Sequence, residues 1–97
     1  MIEPLREAEL EKKLVERVKE LGGEALKFVS PGNAGVPDRI ILMRSGRIYF
    51  AEVKAPGKCL RPLQRRRKKQ LEQLGFKVFV VDSLDELEVV LDAIRPT

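Results

Sequence analysis

The sequence predicts an α/β fold in which a mixed sheet is flanked by helices, with elements in the order α-β-β-β-α-β-α. Three observations carry this. Apolar residues recur at helical spacing at both ends of the chain, two apolar runs surround Ser45-Gly46 as in a hairpin, and Lys77–Val81 is a short apolar strand between two helical segments. With 97 residues and no internal Gly/Ser/Pro-rich stretch, residues 1–97 are expected to form a single domain. A core of this size is thin, and a dimer would enlarge it.

The first helix is expected from Pro4 to about Leu21. Leu10, Leu14, Val18 and Leu21 form its apolar stripe, and Gly22-Gly23 stops it. At about 100° per residue, Glu11 falls inside that stripe, between Leu14 and Val15. That placement is odd for a glutamate. Glu7 shares the arc one turn earlier, where a helix start frays into water. Ala25–Ser30 reads as a strand, and Pro31-Gly32-Asn33-Ala34-Gly35 as a loop. Asn33 and Ser30 are explained by loop chemistry and receive no functional role.

Asp38–Met43 and Arg47–Lys54 should pair antiparallel across Ser45-Gly46. Pro37 is tolerated because a proline can open a strand without removing an interior ladder bond. Ala55-Pro56-Gly57 ends the second strand. Pro62–Leu74 is a helix with proline in its first turn, ended by Gly75. Lys77–Val81 is apolar on both sides, as for a strand covered on both faces near the centre of the sheet. Ser83-Leu84-Asp85-Glu86 has capping-box spacing, and Leu84, Leu87, Leu91 and Ile94 give the last helix its apolar face.

Composition excludes several classes. A 43% hydrophobic and 35% charged chain is neither disordered nor membrane-spanning, since no apolar run approaches the roughly 20 residues a membrane helix needs. Cys59 is the single cysteine and no secretory leader pattern is present, so a cytoplasmic location is expected. With no histidine nearby to pair with it, Cys59 reads as incidental. The net charge of +4 is unevenly spread: Lys54–Lys69 holds eight Lys or Arg and no acid, whereas Asp82–Asp92 holds five acids and no base. The basic stretch should meet a polyanion and the acidic one face away from it.

Glu52 and Lys54 are two residues apart on a strand, so both side chains leave the same face while Val53 enters the other layer. Asp38 begins the paired strand and meets Glu52 if the hairpin register is right. Two carboxylates and an ammonium at one point suit a hard cation, Mg²⁺ or Mn²⁺; the lack of histidine disfavours zinc. Such a group can hydrolyse phosphodiesters. Asp38 and Glu52 would hold the cation, the backbone carbonyl of Val53 could join them, and Lys54 would orient the attacking water and offset phosphoryl charge. Taken alone, Glu-x-Lys is equally a solvated ion pair worth about 0–1 kcal/mol.

Lys58, Arg61, Arg65, Arg66, Lys68 and Lys69 offer phosphate contacts beside these residues, and Arg39 could add another. The competing function is a non-catalytic nucleic-acid-binding module that uses the basic helix 61–69, with the acids structural. Carboxylates beside a phosphate-binding surface argue for a cation and hence for the enzyme. A protein-interaction domain using the acidic last helix is a weaker third reading. Tyr49 and the phenylalanines alternate within strands and read as core.

Gly35-Val36-Pro37-Asp38-Arg39, a hairpin, Glu52-Val53-Lys54 and then Gln64 resemble the VRR-NUC branch of the PD-(D/E)XK nuclease superfamily. The resemblance spans about Glu7 to Ile94. It implies a restriction-endonuclease-like core and Mg²⁺- or Mn²⁺-dependent endonucleolytic cleavage of DNA, with Asp38 and Glu52 as metal ligands and Lys54 as catalytic lysine. It also implies that Gln64 supports the site and that the first-helix glutamate corresponds to Glu11, with Glu7 as the alternative. Stand-alone members are similar to Holliday-junction resolvases, which implies a branched DNA substrate and a homodimer.

Overall fold

A computed structural model describes residues 6–96. Its elements are α1 (Glu7–Glu20), β1 (Glu24–Lys27), β2 (Arg39–Met43), β3 (Arg47–Val53), α2 (Pro62–Gln73), β4 (Lys77–Val81) and α3 (Leu84–Ile94), the expected order. Pro4, the expected start of the first helix, lies outside the described residues. The strands form one sheet in the order β1-β2-β3-β4, antiparallel except for the parallel β3–β4 pair. The sheet is mixed and flanked by helices, as the sequence predicts.

Pleating sorts the side chains into two layers. Ile41, Met43, Ala51, Val53, Phe79 and Val81 join Ala25 to bury against Leu10, Leu14 and Val18 of α1 and Leu87, Val90, Leu91 and Ile94 of α3. The last helix starts as its sequence requires, with the Ser83 hydroxyl accepting from the Glu86 N–H at 3.1 Å. On the other face, Phe50 makes a tilted contact with Phe28, ring centres 5.5 Å apart, and an edge contact with Phe76 at 5.4 Å. Here α2 packs on β4. Leu26, Leu42 and Ile48 of the same face are partly exposed.

Two expectations need correction. Lys77–Val81 is the edge strand rather than a central one, because β3 is its sheet neighbour among the described residues and β2 occupies the far side of β3. Its apolar run reflects cover from α3 below and α2 above, which supplies burial without a second neighbouring strand. The first strand stops at Lys27 instead of Ser30. One further bond, Phe28 N–H to the Asp38 carbonyl at 2.8 Å, carries the pairing to its end before the loop departs. The hairpin is as expected, with Ser45 (φ 65°) and Gly46 (φ 71°) both left-handed.

Leu14 is fully buried between α1 and the sheet. Leu14→Ala should lower unfolding free energy by about 2–5 kcal/mol, measured by urea denaturation at unchanged m-value. A loss under about 1 kcal/mol would show that this face is not the principal core.

Candidate active site

The β2–β3 register ends on Arg39 opposite Ala51, so one step further along the strands sets Asp38 opposite Glu52. In the neighbouring pairs, Phe28 bonds Asp38 and Val80 lies opposite Glu52. A row Phe28–Asp38–Glu52–Val80 therefore crosses the sheet on the α2 side. Lys54 follows Glu52 on this face, and its N–H donates to the Val81 carbonyl at 2.9 Å.

The carboxylates are held by backbone and by α2. The Val53 N–H donates to Asp38 Oδ2 at 3.2 Å. The Val53 carbonyl leaves the strand on the same side as its N–H, toward β2, so it also borders the pair. Glu52 is buried, only 4% exposed, and its Oε1 accepts from Gln64 Nε2 at 3.4 Å. The Gln64 Oε1 in turn accepts from the Arg61 N–H at 2.9 Å, capping the start of α2. One side chain thus closes a helix end and supports an acid.

Burial first, then the hydrogen bond to Asp38 and its charge, push the Glu52 carboxyl up to about 8; Lys54 and Arg61 act in the opposite direction. Glu52, buried beside a second acid, holds its proton until a cation replaces it. That replacement tests whether these residues fit a divalent ion. The donors are hard oxygens, the sequence has no histidine and Cys59 is exposed in another segment, so the set fits Mg²⁺ or Mn²⁺. Among the described residues no group of three or more acidic, cysteine or histidine side chains comes together. The candidate centre therefore rests on Asp38 and Glu52.

Glu11 and Arg39 meet each other instead of the pair. Arg39 belongs to the α1 layer, because it alternates with Asp38 along the strand. Its Nη2 lies 2.9 Å and its Nε 3.0 Å from Glu11 Oε1, and its Nη1 donates to the Ala25 carbonyl at 3.2 Å. Glu11's place in the apolar stripe is explained by this ion pair. The Arg39 side chain, 17% exposed, is committed on the face opposite Glu52. Glu7 reaches the end of β3, where its Oε1 accepts from the Ala55 N–H at 3.1 Å.

The basic residues gather around α2. Lys58, Arg61, Arg65, Arg66 and Lys69 are exposed, whereas Lys68 pairs with Glu72 at 3.1 Å. Arg65 donates to the Leu60 carbonyl at 3.2 Å. Arg65, Arg66, Lys68 and Lys69 line a cavity of about 700 Å³ with Leu60, Glu72 and Val80. Val80 is the cross-strand neighbour of Glu52, so this basic wall adjoins the acids. Sequence reasoning counted Arg67 with the rest of the basic helix, but it turns from that face to donate through Nη2 to the Ala34 carbonyl at 3.3 Å. A run of five like charges gives no signal for which member turns inward.

The VRR-NUC domain profile matches residues 4–85, most of the chain and all of this site. The chain belongs to the VRR-NUC domain family. It is 48% identical over 91 residues, 94% of this chain and 97% of the relative, to "Putative nuclease p44" of Acyrthosiphon pisum secondary endosymbiont phage 1. A solved VRR-NUC domain structure superposes with a TM-score of 0.84 at 31% identity, covering 89% of this chain and 94% of the other.

The raised Glu52 value sets a pH dependence for this VRR-NUC domain. The folded chain binds the Glu52 proton more tightly than the unfolded chain, so the contribution of Glu52 to stability is fully present below the ordinary carboxylate range. It falls as pH rises toward about 8. In EDTA, the melting temperature should drop by more than about 4 °C between pH 5 and pH 9, and Glu52→Gln should flatten the drop. Equal slopes in calorimetric scans of the two proteins would refute this account of Glu52.

Proposed function

We propose that this VRR-NUC domain is a divalent-metal-dependent endodeoxyribonuclease that acts on branched DNA such as Holliday junctions. The observation that carries the reading is the buried Glu52 beside Asp38, with Lys54 on the same strand face and a basic helix adjoining. A binding module has no use for two acids there, because they repel the phosphates that the helix attracts.

Asp38 and Glu52 would hold Mg²⁺ or Mn²⁺, with the Val53 carbonyl as a third oxygen. The cation supplies Lewis-acid polarisation of a phosphoryl oxygen and activation of water. Lys54 places its ammonium where it can orient the attacking water and offset charge gathering on the phosphoryl group. Gln64 keeps Glu52 turned toward Asp38. Lys58, Arg61, Arg65, Arg66 and Lys69 bind the backbone on either side of the scissile phosphate. Their contacts carry little sequence information, which suits a substrate recognised by shape.

Of the two first-helix acids, Glu7 has the closer connection to the site, through the backbone one residue beyond Lys54. Glu11 supports it from the opposite layer by fixing Arg39, the residue next to Asp38. The partly exposed Leu26, Leu42 and Ile48 provide an apolar sheet face on which a homodimer can form. Two copies would present two sites to a symmetric junction.

Labelled four-way junction, flap and linear duplex, each incubated with Mg²⁺, Mn²⁺ or EDTA, test the activity. Cleavage should require the metal and be fastest on the junction. Lys54→Ala should reduce it on the order of 100-fold or more, with DNA binding retained. Cleavage that persists in EDTA, or that Lys54→Ala leaves intact, would overturn the mechanism; binding without cleavage of any substrate would favour a non-catalytic module. Sedimentation should show a dimer at micromolar concentration, and monomer alone would remove the dimer from the proposal.

A further inference from the structure

The loop that delivers Asp38 is seated on the helix that supports Glu52. Gly35 has φ +84°, and a Cβ added there would lie 2.8 Å from the Leu63 carbonyl oxygen and 2.9 Å from Leu63 Cγ. Only a glycine lets this backbone lie so close to α2. One turn along the helix from Leu63, Arg67 donates through Nη2 to the Ala34 carbonyl at 3.3 Å and through Nη1 to Gln70 Oε1 at 3.0 Å. Its Nε is buried with no hydrogen-bond partner among the described residues. A side chain placed to bind DNA phosphates would keep its donors in water. This one is held against the loop at the expense of a donor.

Asp38 is four residues from Ala34 and three from Gly35, with Pro37 buried between them. On its other side Asp38 is tied down by the Phe28 N–H at its carbonyl and the Val53 N–H at its carboxylate. Ahead of it, residues 34–37 meet α2 at two points, the Arg67 bond to the Ala34 carbonyl and the close approach of Gly35 to Leu63. Helix α2 thus contacts Glu52 through Gln64, and the loop that leads to Asp38 through Arg67 and Leu63.

We propose that Arg67 is a positioning residue. By clamping Ala34 and Gly35 to α2, it sets the spacing of Asp38 from Glu52 and so the affinity of the pair for a divalent cation. This rests on the metal-site reading above. It separates Arg67 from its neighbours Arg65, Arg66 and Lys69, which are exposed.

Two independent perturbations test the clamp. Arg67→Ala removes the donor, and Gly35→Ala forces the loop off Leu63 by adding the atom that does not fit. Both should weaken Mn²⁺ binding to the DNA-free protein at least five-fold by calorimetric titration. Both should also speed amide exchange at residues 34–36 while leaving β3 protected. Arg67→Lys, which can still reach the Ala34 carbonyl, should recover most of the affinity. Binding of junction DNA in Ca²⁺ should change less than two-fold in Arg67→Ala. Unchanged Mn²⁺ affinity in both variants would overturn the proposal, as would a loss of DNA affinity with metal binding intact, which would make Arg67 a phosphate contact. A wild-type protein that binds no Mn²⁺ would overturn the metal reading as well, so the two failures are distinguishable.

Discussion

The structure depends on the pairing register of β2 with β3. Side chains alternate between faces along a strand, so a slip of one residue in the hairpin would turn Glu52 and Lys54 into the core and bring Val53 out. The register is fixed from both sides. Ile41, Met43, Ala51 and Val53 are buried against α1 and α3, and the left-handed Ser45-Gly46 turn sets where the strands begin to pair. The hydrophobic core therefore specifies the site, although no core side chain is part of its chemistry.

Placing two acids side by side in a chain this small has an energetic consequence. An uncompensated buried carboxylate costs several kcal/mol, against a total stability of about 5–15 kcal/mol for a typical domain. The fold limits that cost by local means. Gln64 gives Glu52 a donor, the Val53 amide gives one to Asp38, and burial beside Asp38 favours the protonated, uncharged form of Glu52. The ion pair of Arg39 with Glu11 lies in the other layer, where each satisfies the other's half-buried charge.

Much of this was legible in the sequence because it follows from short-range rules. The order of elements came from periodicity, and the shared face of Glu52 and Lys54 from the strand repeat of two. The opposition of Asp38 to Glu52 came from the hairpin signal. What sequence alone could not supply was which element lies over which. Lys77–Val81 reads as central because cover by two helices and cover by two neighbouring strands leave the same apolar run. Glu11 was recognised as out of place, but its partner could be identified only once Arg39 was known to fall in the α1 layer. Arg67 was hidden among like charges, since only the course of residues 30–37 decides which arginine meets a carbonyl.

The two helical layers differ in sign. The α2 layer carries the basic cluster, whereas α3 on the opposite side carries Asp85, Glu86, Glu88 and Asp92, with Glu88 bound to Arg17 of α1 at 2.8 Å. Such a molecule is a dipole whose axis runs through the sheet. In the field of a phosphodiester backbone it experiences a torque before any contact is made, and this turns α2 forward and α3 away. Encounters then begin already aligned, and fewer collisions are wasted on the wrong side of the protein.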